Sequence, residues 1–442
     1  MSLSRGSLFV ALLVGAVGCA LKPPRSMEMD ADQAPLASTA PLKHLHQALD
    51  ADAKAEINTV ADLLRAGPDV FASAPDPSAW FEAEQARLAR MPALEQAMPL
   101  RVLTYNIALL DRKYMGTTVT MPEIDARRPV MGDRLFKMGY DILLLQEVWE
   151  WSDVEALQRA GEAAGYVVYG GSPTLHPEHG LAIAVRKEII DEEQPQDRRE
   201  QQFMAQRKLE YFPGPDIKRG WLTWSFTLAG ADRRVHLYDL HATSFVVYWR
   251  QRELQARQVG AEIRERPRED VVILGGDFNS GPYYRDDVWM DGDNKKVPDW
   301  WRNAVAYPLW LHYGQLTDVL NATEVPQDVN LGNTIPRLDD YSALLTVPAG
   351  DERWCGLSEG VVFTASDCNS LYFKSYGGTE PPARLDYLFL RDPSGAVRVS
   401  EANLVLDEPQ SFDDRQHELS DHYGVEALLK VALPFPEEES SP

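Results

Sequence analysis

Between Arg101 and Val431 the chain carries eight short apolar runs, each bounded by turn residues. They are Arg101 to Ile107, Tyr140 to Val148, Gly180 to Val185, Gly220 to Leu228, Val235 to His241, Val271 to Leu274, Leu385 to Leu390 and Val425 to Val431. Runs of this length suit strands better than helices. Several alternate apolar with polar residues, as a strand with one wetted face does; others are continuous, as strands covered on both faces are. Helical stretches lie between them. The clearest runs from about Trp249 to Arg266, with Trp249, Ala256, Val259 and Ile263 on one face, arginines on the other, and Pro267 at its end. Many strands with interspersed helices predict an α/β fold in which two sheets pack together with helices outside. No internal repeat is visible.

Upstream the character differs. Arg5, followed by an apolar run of ten from Leu8 to Val17, has the form of an export signal and is too short to span a bilayer. Ala16-Val17-Gly18-Cys19 resembles a bacterial lipobox, although Ala16 stands where Leu is usual. The resemblance implies cleavage before Cys19 and a lipid on its sulfur; the alternative is an ordinary signal peptide with an incidental cysteine. The expected location is that of an exported bacterial lipoprotein in the cell envelope, at the outer membrane, or of a secreted protein. With Cys19 lipidated, Cys355 and Cys368 remain as a pair. An oxidising compartment allows them to bridge, worth about 3 kcal/mol by loop-closure entropy, and the alternative is two buried thiols.

Lys22 to about Thr39 is rich in Pro, Ala and Asp and reads as a tether. Leu42, Leu45, Leu49, Ala53, Ile57, Val60 and Leu64 recur at helical spacing, and Trp80 to Met98 gives a weaker helix. The expected organisation is a signal segment over 1–19, a tether and helical extension over 20–98, the main domain over 99–434 and an acidic tail over 435–442.

Six places in the strand-rich region set a polar residue at the end of an apolar run. Asn106 closes Leu103-Thr104-Tyr105-Asn106, and Glu147 follows Leu143-Leu144-Leu145-Gln146. His241 ends Tyr238-Asp239-Leu240-His241. Asp277 and Asn279 lie in Gly275-Gly276-Asp277-Phe278-Asn279, Asp386 in Arg384-Leu385-Asp386-Tyr387, and Asp421 with His422 in Ser420-Asp421-His422. A carboxylate at a buried strand end must pair, hydrate or bind metal, because burying it bare is prohibitive. Oxygen ligands such as Glu147, Asn106 and Asp421 suit a hard cation, Mg²⁺ in particular. The scattered cysteines and sparse histidines do not suit a zinc site of ordinary spacing. Each group alone has a plainer reading. Glu147 can be a surface ion-pair partner, Asp277 and Asn279 an Asx turn or helix cap, and His241 a hydrogen-bonded structural histidine. Gly275 and Gly276 would permit a tight turn presenting Asp277 and Asn279 on one side.

Taken together, in this order, the six groups resemble the endonuclease/exonuclease/phosphatase superfamily, and within it the neutral sphingomyelinase branch. The resemblance covers about Leu100 to Leu433. The branch is suggested by Glu147-Val148-Trp149, Leu316-Thr317-Asp318-Val319, Gly332-Asn333-Thr334 and Lys218-Arg219-Gly220. It implies a four-layer α/β sandwich of two mixed β-sheets flanked by helices. It implies that Glu147 binds catalytic Mg²⁺ with Asn106 near it, Mn²⁺ or Co²⁺ being able to substitute. Asp277 and Asn279 would orient the phosphate and the attacking water. Asp386 would fix the His422 tautomer, Asp421 would support the metal side, and His241 would lie across the scissile phosphate. Lys218 would contact substrate, or is a surface residue beside Arg219. The sequence departs from the superfamily pattern at Leu240, where Thr or Ser usually precedes the histidine.

The implied activity is Mg²⁺-dependent hydrolysis of a phospholipid headgroup ester by a sphingomyelinase-like phospholipase C, with His422 as general base. The formal net charge of −23 over 442 residues disfavours a protein that holds nucleic acid by broad phosphate neutralisation. An aromatic stretch with Tyr283, Tyr284, Trp289, Trp300, Trp301, Trp310 and Tyr313, and the run Phe245 to Trp249, suit either a membrane headgroup layer or a protein core. A secreted DNase-like nuclease of the same superfamily is the second reading, and a non-catalytic binding lipoprotein the third. The expected partners are a phosphodiester substrate and a membrane, reached through Cys19 and the aromatic loops; no protein partner is indicated.

Overall fold

The structure is a computed structural model, in which residues 86, 94, 96–114, 117–171, 179–203, 219–231, 233–244, 249–280, 306–322, 371, 384–406, 410–412 and 415–433 are described. The signal segment, the tether, the helix expected over Leu42 to Leu64, all three cysteines, Lys218, the aromatics from Tyr283 to Trp301 and the Gly332 motif lie outside these residues.

In chain order the strands are β1 (Ala97–Asn106), β2 (Asp111–Tyr114), β3 (Thr117–Thr120), β4 (Ile142–Gln146), β5 (Tyr166–Tyr169), β6 (Leu181–Arg186), β7 (Asp197–Gln202), β8 (Gly220–Leu228), β9 (Arg233–His241), β10 (Val271–Asp277), β11 (Thr317–Asp318), β12 (Asp386–Arg391), β13 (Val397–Val405), β14 (Gln410–Phe412), β15 (Arg415–His417) and β16 (Gly424–Ala432). The helices are α1 (Ile124–Lys137), α2 (Trp151–Ala163), α3 (Trp249–Arg264) and α4 (Ala306–Gly314). One six-stranded sheet has the order β13-β16-β1-β4-β6-β5 and the other β11-β12-β10-β9-β8-β7. Each mixes orientations. β1 runs parallel to β4 but antiparallel to β16, and β10 runs parallel to β9 but antiparallel to β12.

Strand periodicity sorts the side chains into four layers. Val102, Leu144 and Ile183 of the first sheet meet Trp224, Leu237, Ile273 and Leu390 of the second. Their odd-numbered neighbours on β1 and β4 (Leu103, Tyr105, Leu143, Leu145) turn outward to Met131, Leu135 and Phe136 of α1 and Val154 and Leu157 of α2. On the far side Tyr238, Leu240, Val272 and Leu274 pack against Ala256, Val259 and Ile263 of α3 and Leu309 and Trp310 of α4. The result is the expected α/β sandwich of two mixed sheets flanked by helices.

Several details depart from the sequence reading. β1 begins at Ala97, so Ala97 and Met98 are strand where the weaker helix was expected to reach. The strand β7 reads Asp-Arg-Arg-Glu-Gln-Gln; it is a sheet edge with one neighbour, and an edge needs no apolar pattern. The arginines of α3 do not all face water: Arg252 and Arg257 are buried, Arg252 donating to the Thr243 carbonyl at 3.1 Å and Arg257 lying 5.1 Å from the Tyr313 ring. Trp310 and Tyr313 are core residues, 1% and 5% exposed, so the membrane reading of the aromatic stretch does not extend to them. Pairing a ring with a helix-packing position is the cheaper way to use large apolar area.

The Gly275-Gly276 pair serves a purpose other than a turn. β10 continues through both glycines to Asp277. A Cβ on Gly275 would come 2.6 Å from Leu144 Cδ1 and 2.9 Å from Thr104 Cβ, so the missing side chain lets the two sheets approach. Gly276 has φ +153°, and its Cβ would come 2.1 Å from the Leu240 carbonyl oxygen. Gly275→Ala is expected to lower stability by about 1–3 kcal/mol through overpacking. Gly276→Ala is expected to lower it further, because a backbone carbonyl in a paired strand cannot move aside. Urea unfolding of the two variants checks the order, and unchanged stability of Gly276→Ala would contradict it.

Candidate active site

The same periodicity that builds the core aims the site. Asn106 has the parity of Val102 on β1, His241 that of Leu237 on β9, Asp277 that of Ile273 on β10, and Asp386 that of Leu388 and Leu390 on β12. All four therefore continue the layer between the sheets to its end, where the strands stop. Register does the rest. Asp277 is paired with Asp386 on one side and with His241 on the other, and Asn106 is paired with Gln146, whose next residue is Glu147.

Asp277 is the hub. Its Oδ2 accepts from Asn106 Nδ2 at 3.1 Å and lies 3.3 Å from His241 Nε2, while its Oδ1 accepts from the Asn279 amide at 2.8 Å. Burial opposes its charge, yet His241, His422 and the Asn279 amide together hold the carboxyl below the ordinary carboxylate range. Asn279 takes φ +47° and donates through Nδ2 to the Ala242 carbonyl at 3.1 Å, and the Ala242 amide in turn donates to the Asp277 carbonyl at 2.8 Å. The Asx-type turn that sequence offered as an alternative is thus present, inside the site rather than instead of it. Gln255 of α3 braces the next residue, accepting from the Thr243 amide at 3.1 Å and donating to Thr243 Oγ1 at 2.7 Å.

His422 Nδ1 lies 2.8 Å from Asp386 Oδ2, the contact the sequence reading assigned to this pair. Burial works against the His422 charge, but Asp386, Asp421 and Asp277 outweigh it and raise its pKa well above the ordinary imidazole value. His241 goes the other way. Burial and the neighbouring Arg219 guanidinium lower it, and Asp277 only partly offsets them. Asp277, Asp386 and His422 each offer a ligand atom within 4.8 Å of the others and could hold a metal ion.

Glu147 takes φ +62°, which turns its side chain out of the β4 parity. It is half-buried, and its carboxylate accepts no hydrogen bond among the described residues. Burial raises its pKa first; His241 lowers it and Asp421 raises it again. Among the described residues buried Asp421 accepts one side-chain hydrogen bond, from Ser420 Oγ at 3.4 Å. Two carboxylates that repel each other, one without a hydrogen bond among the described residues and the other with a single long one, are of the donor type that suits a hard divalent cation. Asn106 Oδ1, which accepts from the Ala108 amide at 3.1 Å, is an oxygen of the same hard type. This set fits such an ion better than His422 and Asp386, which already satisfy each other.

Other supports escaped the sequence reading. Arg127 of α1 is buried and donates to the carbonyls of Ile107 (3.0 Å), Ala108 (2.7 Å) and Leu419 (3.0 Å), tying the segment after Asn106 to the one before Asp421. Ser420 Oγ donates to the Asn106 carbonyl at 2.6 Å and closes the same seam. An arginine in an amphipathic helix gives no sequence sign of facing inward. Arg219 had a sign, since it adjoins Lys218. It is buried, 5.5 Å from the Trp149 ring, and its charge acts on both Glu147 and His241. Trp149 in turn lies 6.1 Å from His241 by ring centroids.

Strand-end acids, amides and imidazoles around a candidate cation site suit the hydrolysis of a phosphoric diester. Residues 103–422 match the Endonuclease/Exonuclease/phosphatase family, and the chain belongs to that family of hydrolases. It is 23% identical over 356 residues to the "Inositol phosphosphingolipids phospholipase C" of Schizosaccharomyces pombe, covering 79% of this chain and 72% of that protein. Among solved structures it is similar to an endonuclease/exonuclease/phosphatase family protein from Bacteroides thetaiotaomicron (TM-score 0.46, 16% identity, 76% of this chain and 100% of that one). It is also similar to beta toxin from Staphylococcus aureus (0.46, 16%, 74% and 99%). A third is D. rerio TDP2 complexed with single strand DNA product (0.45, 18%, 75% and 98%).

Beneath Asp386 lies a buried ion pair. Arg384 Nη2 donates to Asp318 Oδ1 at 2.7 Å, Tyr307 OH to Asp318 Oδ2 at 2.9 Å, and the Leu320 amide to Asp318 Oδ1 at 3.2 Å. Burial disfavours the Arg384 charge, but Asp318 more than restores it and the pKa is raised. The pair fixes the chain two residues before Asp386. Asp318→Ala leaves a buried guanidinium unpaired and is expected to destabilise by about 3–5 kcal/mol. Thermal or urea unfolding measures this, and a loss under about 1 kcal/mol would show that the pair is not a structural anchor.

Proposed function

We propose that the chain is a divalent-cation-dependent phospholipase C that hydrolyses the headgroup phosphodiester of a sphingomyelin-type phospholipid at a membrane surface. The observation that carries hydrolysis is the convergence of Asp277, Asp386 and His422 within 4.8 Å at strand ends paired with His241 and bonded to Asn106. The lipid substrate is supported by the similarity to the fission yeast phospholipase C over most of both chains, and by a net charge of −23 that suits polyanionic nucleic acid poorly.

A divalent ion, Mg²⁺ by the hardness of its oxygen donors, would be held by Glu147, Asp421 and Asn106 and would neutralise charge on the phosphate and its leaving oxygen. The chain's own residues position and move protons. Asp386 holds His422 by Nδ1, which leaves Nε2 as the atom that takes a proton from water. With Asp421 neutralised, Asp386 and Asp277 remain to raise the His422 pKa, and its proton is held less tightly than in the free site. Asp277, kept ionised, orients Asn279 through the backbone and His241 through Nε2. Fixed dipoles and charges of this kind act without reorganising.

The decisive experiment offers sphingomyelin, phosphatidylcholine and plasmid DNA in parallel, with Mg²⁺ or with EDTA. Lipid hydrolysis that EDTA abolishes is expected; DNA cleavage without lipid hydrolysis would replace this reading with a nuclease. His422→Ala and Glu147→Gln are each expected to reduce turnover by at least about 10²-fold, and near-normal rates in both would reject the site.

The lipobox-like segment supports anchoring of the enzyme through Cys19 in the envelope of a bacterium. In a bacterial host Cys19→Ala is expected to move the protein from the membrane fraction to the soluble fraction. An unchanged distribution would leave the segment as a signal without an anchor.

A further inference from the structure

Directly under the strand-end site lies a polar layer that the proposed reaction does not use. Thr104 of β1, Gln146 of β4 and Asp239 of β9 carry the inward parity of their strands, and all three are fully sealed from solvent. Gln146 Nε2 lies 2.6 Å from Asp239 Oδ1 across the sheets, 3.0 Å from the Leu144 carbonyl and 3.2 Å from Thr104 Oγ1, its two N–H groups shared among these three acceptors. The Leu144 carbonyl fixes which end of the amide carries nitrogen. Two atoms are left over. Gln146 Oε1 and Asp239 Oδ2 are both buried without a hydrogen-bond partner. If Asp239 is ionised both are acceptors, and neither can serve the other.

Among the described residues, the surroundings of Asp239 supply no cation. Leu222 of β8 and Gly275 of β10 pair with it, Gln146 meets it from β4, and the backbone amides of Leu145 and Ala182 face it from β4 and β6. A bare carboxylate in such a place is strongly unfavourable. One proton on Oδ2 removes the charge and turns the orphaned acceptor into a donor for Gln146 Oε1.

We propose that Asp239 is a carboxylic acid in the folded protein, paired with the Gln146 carboxamide through two hydrogen bonds, and that this pair is the positioning element that sets Glu147 against His241. Burial drives the Asp239 pKa well above the carboxylate range, and Gln146 with the two backbone amides only tempers it. The pair joins the last residue of β4 to β9 two residues before its end. Glu147 follows Gln146 at once, and His241 is the end of β9. Among the described residues no backbone hydrogen bond joins β4 to β9, so side-chain contacts such as this pair set their relative placement here. The positioning role rests on the proposed reading of Glu147 and His241; the proton on Asp239 does not.

Three variants of the full chain test this. Asp239→Asn replaces the acid hydroxyl with an amide NH₂ and reproduces both hydrogen bonds. Asp239→Leu and Gln146→Leu remove them. A folded-state pKa raised above the unfolded value gives stability that is complete below the unfolded pKa, about 4, and is lost as pH rises toward the folded value. The folding constant of the wild type, from urea unfolding, should therefore fall with pH about tenfold per unit more steeply than that of Asp239→Asn in this window. Parallel curves, or an Asp239→Asn that does not fold, overturn the proton. With substrate, Asp239→Asn is expected to keep kcat within about threefold. Asp239→Leu, or Gln146→Leu should the former not fold, is expected to lower kcat by about 10- to 10²-fold with KM nearly unchanged. Wild-type kcat in a folded leucine variant overturns the positioning role. The unfolding comparison needs no activity, so a protein that hydrolyses none of the substrates still decides the state of Asp239.

Discussion

The interval between the two sheets is the constraint on which everything else depends. Along the strands that line it, the side chains grade from apolar (Val102, Leu144, Leu237, Ile273) through neutral polar (Thr104, Gln146) and Asp239 to the strand-end acids, amides and imidazoles. Water is excluded from all but the last step, so each ionisable group must meet a partner supplied by another strand. Asp277 meets Asn106 and His241, and Asp386 meets His422. None of these partners is close in sequence. Sheet register and the close approach allowed at Gly275 bring them together, and a shift of one residue in any of β1, β9, β10 or β12 would send its member of the set to the helix side.

Most of the architecture was legible because strand length and parity are local signals. The eight apolar runs from Arg101 to Val431 all contain or overlap strands, and the inward parity of Asn106, His241, Asp277 and Asp386 can be counted directly from the apolar residues two and four positions away. What was not legible follows from burial that only tertiary structure creates. β7 is too polar to announce itself, since an edge strand has half its backbone unpaired and little of its surface covered. Arg252 and Arg257 on α3 read as a solvated face, yet they are covered in the fold. Arg127 sits in a helix whose sequence gives no reason to expect three loop carbonyls at its guanidinium. The glycines before Asp277 signalled an unusual backbone, but a turn and a close sheet contact share that signal. Spacing alone does not separate them.

The candidate site repeats one electrostatic device in opposite directions. His241 and His422 both approach Asp277, and burial lowers both. What differs is the rest of the neighbourhood. Arg219 stands near His241 and pushes it further down, whereas Asp386 and Asp421 stand near His422 and carry it up. Two imidazoles flanking one carboxylate are thereby separated in proton affinity by the other charges around each of them. A pair of titratable groups driven apart by their surroundings is how one site supplies both a donor and an acceptor at a single pH.

For the proposed reaction this separation has a direction. The imidazole held low is neutral and, with Nε2 toward Asp277, presents a fixed dipole rather than a charge. The imidazole held high is raised by Asp386, Asp421 and Asp277, so neutralising Asp421 would remove part of what holds its proton. That coupling needs no moving part; it follows from placing His422 within reach of three carboxylates of which only one, Asp386, is its hydrogen-bond partner.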